Sequence, residues 1–147
     1  MPKTRRIVHP TDFSPASRPA FKKAMELAKA ENAAVLIVHV LPTLPMVADA
    51  YMAASAYDEM LRAHRRQAEA DMDRLVKRAR AAGVRASGTV LEFGSAAERI
   101  STFAKRQRAD LIVMGTHGRG LLARAVLGSV AQRVVSQAPC PVMTVRA

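Results

Sequence analysis

The amino-acid sequence predicts a single doubly wound α/β domain, with a five-stranded parallel sheet and helices on both faces. Short apolar runs alternate along the chain with longer segments whose apolar residues recur every three or four positions. This βαβαβαβαβ order is typical of parallel strands joined by right-handed helical crossovers. A chain of 147 residues suits one well-buried core, so we expect one domain over residues 1–147.

The first two strands and the first helix are predicted from the N-terminal 40 residues. IVHP opens a short strand, and SPASRPAFKKAMELAKA follows as a helix, with Ser14 and Ser17 as capping residues and early prolines in the first turn. AAVLIVHV is typical of a strand that is covered on both faces. LPTLPMVADA contains two prolines and no apolar period, which predicts a loop.

A long amphipathic helix and a third strand are predicted next. Apolar residues repeat from Tyr57 to Ala79 at helical spacing, with His64 on the same stripe, and the helix should end near Gly83. Val84 to Leu91 predicts the third strand.

The last third of the chain repeats the strand and helix alternation. Ser95-x-x-Glu98 and Ser129-x-x-Gln132 both match the capping box that precedes a helix. Asp110 to Met114 predicts the fourth strand, and Pro141 to Val145 predicts the fifth.

The composition disfavours a membrane protein, a secreted protein and a disulfide-bonded protein. The longest apolar run, AAVLIV, is far shorter than the roughly 20 residues of a membrane span. MPKTRRIVHPTD lacks the apolar region of a signal peptide, so we expect a cytoplasmic protein. The single cysteine, Cys140, has no second thiol to pair with and is expected to be a small buried residue.

The formal charge of +11 raises the possibility of a nucleic-acid partner. Between Glu59 and Arg108, however, twelve basic and six acidic residues are scattered along predicted helices, and aromatic residues are not interleaved with them. This distribution disfavours nucleic-acid binding and is typical of solvated helix faces.

The stretch GTHGRGLLARAVLGS, from Gly115 to Ser129, is the strongest candidate for a binding loop. It lies between the fourth strand and the last helix, where free N–H groups and the helix dipole favour an anion. Glycines let further amides approach the same anion closely. Four arginines and no acidic residue lie between Leu111 and Ala147, so no local carboxylate repels phosphate.

The spacing Gly115-x-x-Gly118, nine residues, then Gly128-Ser129 resembles the nucleotide-binding signature of the universal stress protein family. IVHPTDFS and APCPVMTVR resemble the family's first and last strands, and the similarity covers essentially the whole chain. The stretch lacks GxxxxGK[ST], and no GxGxxG follows the first strand. The chain differs from the family in His9, which replaces a common apolar residue, and in the loop after Leu41.

The resemblance implies an ATP-binding, UspA-like homodimer with an adenine nucleotide alpha hydrolase-like fold. It places Asp12 near the ribose, the main chain of Val40 at the adenine, and Met114 beneath the nucleotide. Gly115, His117, Gly118, Gly128 and Ser129 match the phosphate loop, with Arg119 as the following basic position. The nucleotide-binding residues implied in this way are Pro10, Thr11, Asp12, Val40, Met114, Gly115, Thr116, His117, Gly118, Arg119, Gly128, Ser129, Val130 and Ala131.

Several of these residues also have a purely structural interpretation. Asp12 would suit a helix cap as well as a ribose contact, and His117 could be a polar loop residue instead of an anion contact. His9 and His39 end neighbouring strands and could be satisfied core groups, and a structural role is favoured for His64. The histidines and carboxylates lack the spacing of a zinc site, whereas Mg²⁺ could arrive on the phosphates of ATP.

Three functions remain open at this point. A nucleotide-sensing dimeric regulator of the stress response is favoured, because no GxSxG elbow and no obvious phosphoryl-transfer machinery is present. The alternatives are a slow ATPase or a nucleotidyl- or phosphoryl-transfer enzyme, and an adaptor that needs no nucleotide.

Overall fold

The computed structural model describes residues 3–43, 54–117 and 127–147. Five parallel strands form one sheet in the order β3-β2-β1-β4-β5. The strands are β1 (Arg6–Pro10), β2 (Ala34–Val40), β3 (Ala86–Leu91), β4 (Leu111–Gly115) and β5 (Val142–Val145). The chain therefore builds outwards in one direction from β1 to β3 and then returns to the other side of β1, which confirms the doubly wound fold.

Four helices connect the strands within these ranges. They are α1 (Arg18–Glu31), α2 (Ala54–Ala81), α3 (Ala96–Arg106) and α4 (Ser129–Gln137). A short 3₁₀ turn, Pro15–Ser17, precedes α1, so the predicted first helix starts later than expected. None of the helices in the described ranges has the length and apolar character needed to cross a bilayer.

Two core clusters explain the continuous apolar runs of the central strands. Alternate strand residues such as Ile7 and Val113 pack with α1 and α2 on one face. Their neighbours, such as Val8 and Ile112, pack with α3 and α4 on the other face. A strand buried on both faces needs apolar residues at successive positions, and this is the pattern that the sequence presents.

The predicted serine caps are wrong in their chemistry. Ser14, Ser17 and Ser95 occupy N-cap positions, but none makes a side-chain capping hydrogen bond. Ser17 has a helical backbone instead of the extended one that capping needs, and its hydroxyl donates to the Ser14 carbonyl at 2.7 Å. The N-cap of α4 is Gly128, and Ser129 is the first helical residue.

Helix α2 extends past the carboxyl end of the sheet. Arg65 pairs with Glu92, directly after β3, and the first buried residue of the helix is Ala68. The preceding fourteen residues of α2 rise by about 20 Å. His64 lies in this part and is exposed, so its predicted place on a buried stripe is wrong.

Cys140 is half-buried, not buried as expected, and packs against the second core cluster. Burial and the nearby Asp110 carboxylate both raise the pKa of its thiol. The thiol is therefore kept in its neutral form at physiological pH.

Two histidines are buried in the sheet. His9 is 0% exposed, and its Nδ1–H donates to the Val113 carbonyl at 2.9 Å, while Nε2 has no partner in the described part of the structure. Burial lowers the pKa of His9 from 6.5 to about 4, against the opposing effect of the Val113 hydrogen bond. His39 is also buried, and its Nδ1–H donates to the Thr11 carbonyl at 2.8 Å. The core interpretation of both residues holds, except that one nitrogen of His9 is left without a partner.

Burial of His9 predicts a loss of stability in mild acid. The folded pKa lies below the unfolded value of 6.5, so protonation favours the unfolded chain as the pH falls from about 6.5 towards 4. Between pH 7.5 and pH 5 this group should remove about 2 kcal/mol of the free energy of unfolding. His9→Asn keeps a donor for the Val113 carbonyl but does not titrate. Denaturant unfolding at pH 7.5 and pH 5 gives the drop in the free energy of unfolding between the two pH values. This drop should be smaller in His9→Asn than in the parent protein by about 2 kcal/mol.

The matched control is His64→Asn, which removes an exposed histidine from the same chain. It should keep the acid sensitivity of the parent protein. An equal loss between pH 7.5 and pH 5 in the parent and in His9→Asn would show that His9 is not the titrating group.

Candidate functional site

The candidate site lies where the strand order reverses, between β1 and β4. The two strands pair in register, Ile7 with Leu111 and Val8 with Ile112. Their following loops lead to α1 on one face of the sheet and to α4 on the other. Such divergence opens a crevice at the carboxyl ends of the strands, which is where ligands bind in open α/β sheets.

Asp12 is the acidic residue of the β1 loop and is half-buried beside this crevice. Its Oδ1 accepts the N–H of Ser14 at 2.9 Å. The carboxylate therefore closes the turn before the 3₁₀ segment, which supports the structural interpretation in part. This hydrogen bond also fixes the direction of the carboxylate at the end of β1.

Thr11, Phe13 and His39 hold the turn around Asp12. The Thr11 hydroxyl donates to Ser17 Oγ at 3.1 Å and accepts the Phe13 N–H at 3.0 Å. The Thr11 carbonyl accepts from His39, whose ring lies 4.6 Å from that of Phe13. The Thr11 side chain is thus engaged within the protein, and its contribution to a site is to position the loop.

Phe13 was not among the predicted site residues. Its φ is +62°, a conformation that costs energy for a residue with a side chain and is found mostly at turns and functional sites. The packing of Phe13 on His39 stabilises this conformation. A sequence signal for it is lacking, because an aromatic residue gives no hint of a positive φ.

The β4 loop begins with Gly115, which pairs with Val145 at the end of the sheet. A Cβ added to Gly115 would lie 3.5 Å from the His117 carbonyl oxygen and 3.6 Å from that of Ala16, which is ordinary contact. Its backbone has no positive φ. Packing of the described protein atoms therefore does not require glycine at this position.

Thr116 and His117 follow Gly115 and join the strand to the start of α4. The Thr116 N–H donates to the Val145 carbonyl at 3.1 Å, and its Oγ1 lies 3.0 Å from Nδ1 of His117. Nε2 of His117 is buried and has no hydrogen-bond partner among the described residues. A polar atom in this state is a candidate for a ligand contact.

Gly128 is required by the protein itself. Its N–H donates to the Thr116 carbonyl at 2.6 Å, and a Cβ there would lie only 2.8 Å from the same oxygen. Its φ is −60°, so close approach of two backbone segments, not a left-handed conformation, requires the glycine. This contact fixes the N-terminus of α4 against the end of β4.

The N-terminus of α4 presents backbone donors. Gly128 provides no side-chain cap, so the first N–H groups of the helix have no intrahelical or side-chain capping partner within the described ranges. Ser129 and Val130 are exposed, whereas the Ala131 side chain is buried in the second core cluster. Ala131 can therefore take part in a site only through its backbone.

The other predicted site residues occupy the same edge or the core beneath it. Pro10 is the buried last residue of β1, and Val40 is the half-buried last residue of β2, one strand further across the sheet. Met114 is buried in the second core cluster under the β4 loop. Gly118 and Arg119 lie outside the described residues.

Metal-binding side chains do not converge at this edge within the described ranges. No group of three or more histidine, cysteine, aspartate or glutamate residues there could hold a metal ion. Among the described residues, the crevice offers the backbone N–H donors of α4, the Asp12 carboxylate and the His117 imidazole.

The comparisons with known proteins agree with the fold. The family model described as the universal stress protein family matches residues 3–146. A universal stress protein of Methanocaldococcus jannaschii is 37% identical over 142 residues, which covers 97% of this chain and 82% of that protein.

Solved structures give the same result. Universal stress protein UspA from Lactobacillus plantarum has a TM-score of 0.81 at 25% identity, over 99% of this chain and 100% of that one. A universal stress protein solved in complex with cAMP has a TM-score of 0.68 at 25% identity, over 99% of this chain and 98% of that one. The family model, the 37% identical relative and the shared fold together establish that this chain belongs to the UspA-like universal stress protein family.

Proposed function

We propose that this protein binds an adenine nucleotide, ATP, in the crevice between the β1 and β4 loops and acts as a nucleotide-dependent dimeric regulator of the stress response. The observation that carries the proposal is the position of the Asp12 turn and the α4 N-terminus at the point where the strand order reverses. This edge combines a carboxylate for a sugar with helix donors for phosphate.

The phosphates would bind at the N-terminus of α4. The uncapped N–H groups of Ser129, Val130 and Ala131 suit phosphate oxygens, and the helix dipole adds favourable charge. The imidazole of His117, with its buried Nε2, is a further donor candidate when that nitrogen carries the proton. Gly118 and Arg119 extend this phosphate loop in the proposal.

The sugar and base would extend from the phosphates across the sheet edge. The Asp12 carboxylate accepts the Ser14 N–H, and as an acceptor-only group with two oxygens it also suits a ribose hydroxyl. Val40 ends β2 on the far side of β1, so its main chain would meet the adenine. A universal stress protein of the same fold, 25% identical, was solved with cAMP, which supports an adenine nucleotide as the ligand class.

Mg²⁺ fits this site only as a companion of the nucleotide. The described residues offer no cluster of metal ligands, so the ion would be held by phosphate oxygens and water. The groups at this edge position and neutralise phosphates, which suits a regulator more than a rapid phosphoryl-transfer enzyme.

The identity of the ligand and its turnover are tested on the purified protein. Mass spectrometry of the small molecule released on denaturation should detect an adenine nucleotide, and added ATP should show at most slow hydrolysis. Sustained turnover would favour the enzyme alternative, and a protein that neither retains nor binds ATP would favour the adaptor.

Asp12→Asn separates the ligand role of the carboxylate from its role in the turn. Asparagine keeps an oxygen that can accept the Ser14 N–H but removes the charge and the second acceptor oxygen. A single hydrogen bond contributes on the order of 1 kcal/mol, so we expect ATP affinity to fall several-fold in calorimetry, with thermal unfolding nearly unchanged.

Asp12→Ala is the matched comparison, because it removes the turn contact as well. It should lose at least as much affinity and also some thermal stability. If Asp12→Asn binds ATP as tightly as the parent protein, Asp12 is not part of the site.

Gly118→Val and Gly128→Ala should affect ATP binding through different causes. A valine at Gly118 would occupy space that the proposal assigns to phosphate, so affinity should fall much more than stability. The added Cβ of Gly128→Ala would clash with the Thr116 carbonyl, so both affinity and stability should fall. Calorimetry and thermal unfolding on the same preparations compare the two. A folded Gly118→Val protein with parental affinity would contradict the phosphate loop.

The proposed dimer would use the open edge of β5. This strand pairs with β4 on one side only, and Met143 is 37% exposed. The other large apolar side chains exposed in the described ranges, Val130 and Val135, belong to the neighbouring helix α4. An open strand edge beside exposed apolar side chains suits isologous pairing with a second copy.

Met143→Lys should weaken this dimer, because a charge on the strand opposes edge-to-edge pairing and apolar burial. Light scattering over a range of concentrations should give a dimer mass for the parent and more monomer for the variant. The control is Met60→Lys, on the projecting part of α2, which should leave the dimer intact. A monomeric parent protein at all concentrations would contradict the proposal.

A further inference from the structure

The amino end of the sheet, opposite the proposed nucleotide site, collects basic residues from distant parts of the chain. Arg5 and Arg6 lead into β1 and Arg85 leads into β3, on either side of β2, and backbone hydrogen bonds join these residues to the strands beside them. The Arg5 carbonyl accepts the Ala34 N–H at 2.9 Å, and the Arg85 carbonyl accepts the Val35 N–H at 2.8 Å. Asp110 leads into β4 and is joined to β1 in the same way, because its N–H donates to the Arg6 carbonyl at 2.9 Å.

The four helices of the described ranges end at this same edge, because each runs back across the sheet before the next strand begins. The last turns of α1, α2 and α3 carry five more cations: Lys29, Arg78, Arg80, Lys105 and Arg106. Together with Arg108 and the three strand lead-ins, they form a surface that we call the basic edge.

Few negative groups balance the basic edge. Within the described residues, the carboxylates at this end are Glu31 and Asp110. Oδ2 of Asp110 accepts the backbone N–H groups of Arg5 and Arg6, at 2.8 and 2.9 Å. The ion pairs found in the described ranges involve Lys23, Arg65 and Arg74, none of which belongs to the basic edge.

Helix capping explains part of this charge. The Arg6 and Arg85 side chains donate to the Gln107 and Asn32 carbonyls, which lie directly after α3 and α1. Each helix C-terminus carries roughly half a negative charge, so the four ends offset about two of the cations. Including the two carboxylates, an excess of roughly five positive charges remains at this edge.

We propose that the basic edge binds the phosphate backbone of duplex nucleic acid without reading its sequence. The phosphates of a duplex form an extended line of negative charge, which suits a surface whose cations are spread along the sheet edge from the start of β3 to the segment before β4. The basic edge as defined contains no aromatic residue for stacking on single-stranded bases. The large apolar side chains exposed in the described ranges lie in α4 and β5, so insertion into a lipid surface has no support at this edge.

The fold brings together basic residues that are far apart in the sequence. Along the sequence these cations are scattered among helices, which disfavoured nucleic acid as a partner. Because every helix of a parallel crossover returns to the amino edge, basic residues in three separate last turns come together in space.

The first test measures fluorescence anisotropy of a labelled 20-base-pair DNA duplex of arbitrary sequence. With about five phosphates contacted, the plot of log affinity against log salt should have a slope of roughly −4 to −5. Affinity should therefore fall on the order of several hundred-fold between 50 and 200 mM salt. Absence of duplex binding at 50 mM salt would overturn the proposal.

The second test compares two variants that remove equal charge. Arg5→Gln, Arg106→Gln and Arg108→Gln together alter the basic edge, and no hydrogen bond or ion pair in the described structure depends on these three side chains. The control changes Lys22, Arg62 and Arg66 to Gln, all exposed and away from this edge. The basic-edge variant should lose at least tenfold in affinity and two to three units of salt slope, whereas the control should stay within about threefold.

Two results would overturn the proposal at this stage. Equal losses in both variants would show that diffuse net charge, not the basic edge, holds the duplex. Binding to vesicles rich in phosphatidylglycerol without binding to the duplex would assign the edge to a membrane surface instead. Thermal unfolding of both triple variants shows whether they remain folded. If the basic-edge variant unfolds, the single change Arg106→Gln replaces it, and the salt slope should then shift by about one unit.

Discussion

The reversal of strand order between β1 and β4 is the constraint on which the rest of this structure depends. Two neighbouring parallel strands send their connections to opposite faces of the sheet, so a crevice must open where the connections separate. Two contacts hold the loops on either side of this crevice. The Asp12 carboxylate closes the turn after β1, and the contact between Gly128 and the Thr116 carbonyl fixes α4 at the end of β4.

The parallel sheet also makes the two ends of the molecule chemically different. Helix N-termini lie at the carboxyl edge, and helix C-termini lie at the amino edge, where the last turns of α1, α2 and α3 carry basic side chains. One small phosphate ligand is proposed at the first edge and a phosphate polymer at the second. Both proposals follow from the direction of the backbone, because it decides where donors and cations gather.

Periodicity and β-branched runs predict the strands and helices within a few residues, since burial on both faces leaves a plain mark in the sequence. The length of a helix relative to the strands leaves no such pattern. His64 lies on the apolar stripe of α2 but is exposed, because α2 extends past the end of the sheet. The capping prediction failed at Ser17 because that residue has a helical backbone, which the sequence does not reveal. Ser14 and Ser95 have the extended backbone of a cap but make no side-chain capping hydrogen bond.

The glycine-rich stretch shows how far the candidate site could be predicted. Its place between β4 and α4 follows from the sequence alone. The need for glycine at Gly128 does not, because it comes from a contact with Thr116, and the positive φ of Phe13 depends on packing against a histidine of another strand. Contacts between residues far apart in sequence decide these features.

The most direct measurement of nucleotide binding at the strand reversal is a titration of the isotope-labelled protein with ATP, followed by amide chemical shifts in NMR. We predict that the largest shifts cluster at residues 11–17, 115–118 and 128–131, with small changes at the basic edge. Largest shifts at the lead-in residues Arg5 and Arg85, or no shifts at saturating ATP, would contradict it.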